Sequence, residues 1–178
     1  NFQKYGVFDD KALVKTVADR LANREEVQSA RAYPYQLLMA YHAATDVPFE
    51  VREALQDAMT LALENTPSIK GKVYVCVDTS GSMGSSITGY RPGATSAVSC
   101  VDVAALFAAA VLSKNRDAEI WTFNSTAQQV KLNPRDSIMT NASKLNHAGG
   151  GTDCSAAIRG FTAKKAKGDA IVFVSDNE

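Results

Sequence analysis

The run from Val73 to Gly84, VYVCVDTSGSMG, constrains this chain more than any other. It begins as a buried strand and then breaks into Asp78, Ser80 and Ser82, oxygen-bearing side chains at every second place. In an open parallel sheet the carboxyl edge of the strands is where ligands bind, because loops from neighbouring strands diverge there. One carboxylate and two hydroxyls offer hard oxygens with a single negative charge, a set that suits Mg²⁺ with retained waters and suits zinc poorly. Gly81 and Gly84 let the loop fold tightly enough for those side chains to converge.

The sequence that follows supplies the rest of such a sheet. Residues Lys72 to Asp78 read as a first strand, Cys100 to Lys114 as an Ala-rich helix and Ala118 to Phe123 as a second strand. A third strand, Ala127 to Leu132, follows so short a turn that it should pair antiparallel. A helix near Asp136 to Leu145 leads to Gly149–Gly151, and Thr152 is expected to begin another helix. The last strand, Ala170 to Ser175, ends at Asp176. Strands alternating with helices argue an α/β domain with a mainly parallel sheet. Thr152 and Asp176 then share the edge that carries Asp78. The unbroken apolar run AIVFV is that of a central strand needing neighbours on both edges, so the expectation is a fragment of a longer protein whose continuation supplies the remaining strands and helices.

Upstream the texture differs. From Asp9 to about Pro67 the pattern is helical. Asp9 or Asp10 can cap a segment with Leu13, Val14, Val17 and Leu21 on one face, and a shorter piece spans Glu25 to Ala30. Pro34 suits the first turn of a helix bearing Leu37, Leu38, Tyr41 and Ala44. Val51, Leu55, Met59 and Leu63 mark another from Phe49 to Asn65. Short amphipathic helices without strands indicate the end of a helical-repeat array or a helical collar.

Composition narrows the function. Lys+Arg 19 against Asp+Glu 19 gives no net charge, so a nucleic acid or membrane must be met by a local patch. The hydrophobic fraction of 46% is that of a soluble globular protein, and no apolar run reaches membrane-spanning length. Cys76, Cys100 and Cys154 lack CxxC spacing, which argues for reduced packing thiols in an intracellular setting. The segment SGSMG has Ser80 where a nucleophile elbow needs glycine, and His147 is better read as a polar loop residue than as a base for Ser82. Hydrolase chemistry is not expected. Lys164, Lys165 and Lys167 read as a solvated helix end, and Arg20, Arg24 and Arg31 have no interleaved aromatics that would suggest base recognition.

DTSGS with a downstream Thr and Asp at strand ends resembles the metal-ion-dependent adhesion site of von Willebrand factor A domains. The resemblance implies that Ser80, Ser82 and Thr152 bind a divalent cation, most simply Mg²⁺, while Asp78 and Asp176 close the shell, and that an open position takes an acidic side chain of a partner protein. It also places the first and fourth strands side by side. The long stretch Gly84 to Ser99, the VDVAALFAAAVL helix, the terminal VSDNE and the segment YPYQLLMAYHA narrow the likeness to the Ro ribonucleoprotein family. There a ring of helical repeats, the TROVE domain, precedes the A domain. Residues 1–70 would be the end of that ring and residues 71–178 the A domain through its fourth strand. The family implies binding of small noncoding Y RNA and of misfolded RNA ends, chiefly by the ring, with no enzymatic activity, no membrane, a cytoplasmic location and a monomer. The competing reading is another von Willebrand A interaction protein, an intracellular adaptor or chelatase-type subunit that does not bind RNA.

Overall fold

A computed structural model describes residues 2–64, 66–87 and 98–176. Most of the long stretch after SGSMG, residues 88–97, therefore lies outside the described residues, as do Asn177 and Glu178. The chain divides into two compact units, residues 1–65 and 66–178.

The first unit is helical, with α1 (Lys11–Leu21), α2 (Arg24–Ala30), α3 (Pro34–Ala43) and α4 (Phe49–Ala62) preceded by two short 3-10 turns. Capping residues set the starts: the Asp10 carboxylate accepts the Ala12 amide at 2.7 Å, and the Asn23 side chain accepts that of Glu26 at 3.1 Å. Each meets an N–H that has no partner within its own helix. Helix α4 is the hub. Its buried residues Val51, Ala54, Leu55, Ala58 and Met59 recur with the period of one helix face, and α1, α2 and α3 all pack on it. It stops at Ala62, three residues before the expected Asn65.

The second unit is built on a four-stranded sheet of order β3-β2-β1-β4. Strand β1 (Val73–Asp78) is central and wholly buried. It pairs in parallel with β2 (Glu119–Phe123) and with β4 (Ala170–Val174), so the first and fourth strands lie side by side as the resemblance implies. Strand β3 (Ala127–Val130) pairs antiparallel with β2 and ends two residues short of the expected Leu132.

Alternation along β1 divides the core between two faces. Val73, Val75 and Val77 meet α5 (Cys100–Lys114) through Ala104, Ala105, Ala108 and Ala109. These alanines let helix and sheet approach closely, and α6 (Ile138–Ser143) packs beside α5. Ser99 caps α5 reciprocally with Asp102, accepting its amide while the Asp102 carboxylate accepts the Ser99 amide at 2.9 Å. Tyr74 and Cys76 face the other way, with Trp121 and Phe123, onto Ala157 and Phe161 of α7 (Ser155–Ala163). Gly160 is required there, since a Cβ would sit 2.8 Å from the Trp121 ring.

Strand β4 is an edge strand among the described residues. Ala170, Val172 and Val174 join the α5 side of the core, whereas Ile171 and Phe173 are 48% and 42% exposed. Among the described residues no helix is long and apolar enough to cross a membrane.

Burial also sets thiol chemistry. Cys76 is fully buried and desolvation pushes its thiol up to about 12, while Cys154 is exposed. At pH 8 the thiolate fraction of Cys76 is then roughly one in ten thousand. Iodoacetamide treatment of the folded protein should label Cys154 and leave Cys76 unmodified until denaturant is added, as read by peptide mass spectrometry. Equal labelling of both in native buffer would contradict the packing of β1 against α7.

Candidate metal centre

The carboxyl edge of the sheet gathers three loops. The first leaves β1 at Asp78, whose side chain is completely buried. Its Oδ1 accepts the Ser80 amide at 2.8 Å, and its Oδ2 accepts the Ser175 hydroxyl at 2.8 Å. Ser80 is likewise fully buried, and its Oγ lies 3.2 Å from Ser82 Oγ. The loop then tightens into a short 3-10 turn, Gly81–Gly84, anchored by buried Met83.

No Lys, Arg or His of the described residues pairs with Asp78. A buried carboxylate answered only by an N–H and a hydroxyl is costly, because the desolvation of its charge is not met by an opposite one. Among the described residues no three His, Cys, Asp or Glu side chains cluster. The donors grouped here are therefore hydroxyl and carboxylate oxygens, a hard set that fits a divalent cation such as Mg²⁺.

The second loop carries Thr152. It is tied to the first by the Gly149 amide donating to the Thr79 carbonyl at 2.8 Å and the Gly81 amide donating to the Gly150 carbonyl at 2.9 Å. Gly150 has φ +83°, a left-handed conformation that favours glycine. Thr152 does not begin a helix as expected. It is exposed in the loop, and α7 starts at Ser155 because Asp153 takes the capping role. The Asp153 carboxylate accepts the Ser155 amide at 3.0 Å and hydroxyl at 2.6 Å and pairs with Arg159 at 2.6 Å. Those partners, Arg159 first, hold the Asp153 carboxyl down at about 2. Asp153 is thereby committed to the helix end, despite standing next to Thr152.

The third loop begins where β4 ends, and Asp176 is partly buried there, directly after Ser175. Asp78, Ser80 and Ser82 are thus joined by hydrogen bonds, Asp176 enters through its neighbour's bond to Asp78, and Thr152 through the backbone of its loop. The Thr152 side chain itself makes no hydrogen bond among the described residues.

Two contributors carry no motif in the sequence. Ser175 reads there only as the end of a strand, yet its hydroxyl orients Asp78. Asn124, at the end of β2, donates from Nδ2 to the Gly149 carbonyl at 3.1 Å and accepts the Asp153 amide on its own carbonyl at 2.8 Å. The signal for both was available: a polar residue next after an apolar strand lies on the same sheet edge as Asp78.

Comparison with known proteins agrees with this architecture. A family profile described as the Ro60 vWA domain matches residues 72–178. The protein of Deinococcus radiodurans strain R1 named RNA-binding protein RO60 is 27% identical over 192 residues, a match covering 100% of this chain and 35% of that protein. The crystal structure of the Deinococcus radiodurans RO (RSR) protein superposes with a TM-score of 0.71 at 24% identity, covering 96% of this chain and 36% of the other. That likeness shows the fold. The chain spans about a third of the length of these relatives. With the profile covering residues 72–178, more than half of its length, the chain belongs to the Ro family of proteins with a von Willebrand factor A domain.

Proposed function

We propose that this chain is part of a Ro-type RNA-binding protein whose A domain holds a divalent cation and docks another macromolecule. The observation that carries the metal reading is Asp78, fully buried without a basic partner among the described residues, at the head of a hydroxyl-lined loop. Ser80, Ser82 and Thr152 would hold Mg²⁺ through their hydroxyls, with Asp78 and Asp176 completing the shell. The outer role of Asp78 is supported by Ser80 and Ser175, which already engage one oxygen each. A bound cation would supply a hard Lewis-acidic point to which a carboxylate of a protein partner can attach.

RNA binding is supported by kinship, since the Deinococcus relative is named an RNA-binding protein. Small noncoding Y RNA and misfolded RNA ends are the proposed ligands, taken by the helical part, for RNA quality control in the cytoplasm. The proposed protein is a monomer and not an enzyme.

The test separates the two halves. In the full-length protein, Mg²⁺ titration by calorimetry should show a site that Asp78→Ala abolishes. Co-purified RNA, sequenced after washing with EDTA, should contain structured small RNA in both proteins. Mg²⁺ binding untouched by Asp78→Ala would defeat the metal centre, and absence of structured small RNA would defeat the Ro-type function.

A further inference from the structure

Thr152 sits between two hydrogen bonds to one turn. The Gly151 amide on one side donates to Ser125 Oγ at 3.2 Å, and the Asp153 amide on the other donates to the Asn124 carbonyl at 2.8 Å. Two residues earlier, Asn124 Nδ2 holds the Gly149 carbonyl. The Asn124 side chain is itself fixed, because its Oδ1 accepts the Thr126 amide at 3.1 Å, and the Asn124 amide donates to the Thr126 carbonyl at 2.9 Å. It also lies against Gly150, where an added Cβ would meet Nδ2 at 3.4 Å. The loop bearing Thr152 is therefore slung between the DTSGS loop and the β2–β3 turn, and Asn124 holds it at Gly149 with its side chain and at Asp153 with its backbone carbonyl.

We propose that Asn124 is a positioning residue for the metal centre: it acts through the Gly149–Asp153 loop to place Thr152, and touches no ion itself. This rests on the metal reading given above. The physical reason is geometric. The loop contains Gly149, Gly150 and Gly151, whose backbones have wide freedom and which cannot hold a neighbouring hydroxyl in one place unaided. An amide side chain suits the task because it donates to one carbonyl while accepting from another amide, which neither a carboxylate nor a hydroxyl does with the same reach. Groups that orient metal ligands without touching the metal typically change affinity by about 10- to 100-fold when removed.

The experiment is a double-mutant cycle on Mg²⁺ affinity in the full-length protein, using Asn124→Ala, Thr152→Ala and both together. Asn124→Ala should weaken Mg²⁺ binding about tenfold in the wild-type background. In the Thr152→Ala background it should change affinity less than about twofold, since nothing remains for Asn124 to position. Amide exchange at Gly149–Asp153 should quicken while β1 stays protected. Asn124→Asp, which keeps the acceptor and loses the donor, should match Asn124→Ala. If wild-type protein binds no Mg²⁺, the metal reading fails and takes this role with it. If wild type binds but Asn124→Ala leaves affinity unchanged, or weakens it equally in both backgrounds, the positioning role alone is overturned.

Discussion

Asp78→Asn is expected to move stability in opposite directions with and without magnesium. The change is isosteric, and both hydrogen bonds can survive it: the Ser80 amide still finds an oxygen at Oδ1, and the Ser175 hydroxyl turns from donor to acceptor at the new amide. What disappears is a fully buried negative charge with no basic partner among the described residues. In EDTA the variant should therefore be more stable than wild type by about 1–2 kcal/mol, the cost of burying an uncompensated charge being relieved. In Mg²⁺ at 100 times the dissociation constant, wild type should gain about 2.7 kcal/mol and the variant almost nothing, so the order reverses. Thermal unfolding of the full-length proteins in the two buffers checks the crossing. A variant less stable than wild type in both would mean that the carboxylate serves the loop as a structural acceptor only.

Phe123→Ala should produce the largest loss of stability. Phe123 is 1% exposed, stacks edge-on with Phe173 at 5.6 Å and belongs to the cluster under α7. Its backbone carbonyl accepts both the Thr79 amide at 2.7 Å and the Thr79 hydroxyl at 3.1 Å, so the end of its strand is tied to the loop that follows Asp78. Truncation leaves a cavity that the rigid strands cannot close, at a cost of about 3–5 kcal/mol. Phe173→Ala, on the exposed edge strand, should cost less than half as much. Urea unfolding followed through Trp121 fluorescence measures both, and a loss below about 1 kcal/mol for Phe123→Ala would contradict the packing.

The parts of the fold that were legible are those in which one physical demand dominates. The runs VYVCV, EIWTF and AIVFV announce strands because burial governs them along their whole length, and DTSGS announces the edge because oxygen replaces hydrocarbon abruptly. Other parts depend on competition between local signals. Thr152 looks like a helix start after three glycines, but Asp153 is better placed to cap, with Ser155 and Arg159 as partners, and so the helix begins later. Strand β3 ends at Val130 because its antiparallel partner there, Ile120, already lies at the amino-terminal end of β2, which leaves almost no strand beyond it to pair with. The bond from Ser175 to Asp78 has no local signature: it exists only because β4 is paired with β1 in a register that sets Val174 beside Val77. Sequence reasoning could therefore name the site's sheet edge, while its orienting contacts required the register.

That same bond has a consequence in time. Asp78 and Ser175 are 97 residues apart in the chain, and Thr79 and its acceptor Phe123 are 44 apart. At ordinary rates of synthesis, about 5 to 20 residues per second, the hydroxyl that orients Asp78 leaves the ribosome roughly 5 to 20 seconds after the carboxylate it serves. Pairings this distant are also slow to close once the chain is free, since loop entropy is lost before contacts compensate it. The centre is thus completed late, and a nascent chain that displays the whole DTSGS loop does not yet hold its carboxylate in place.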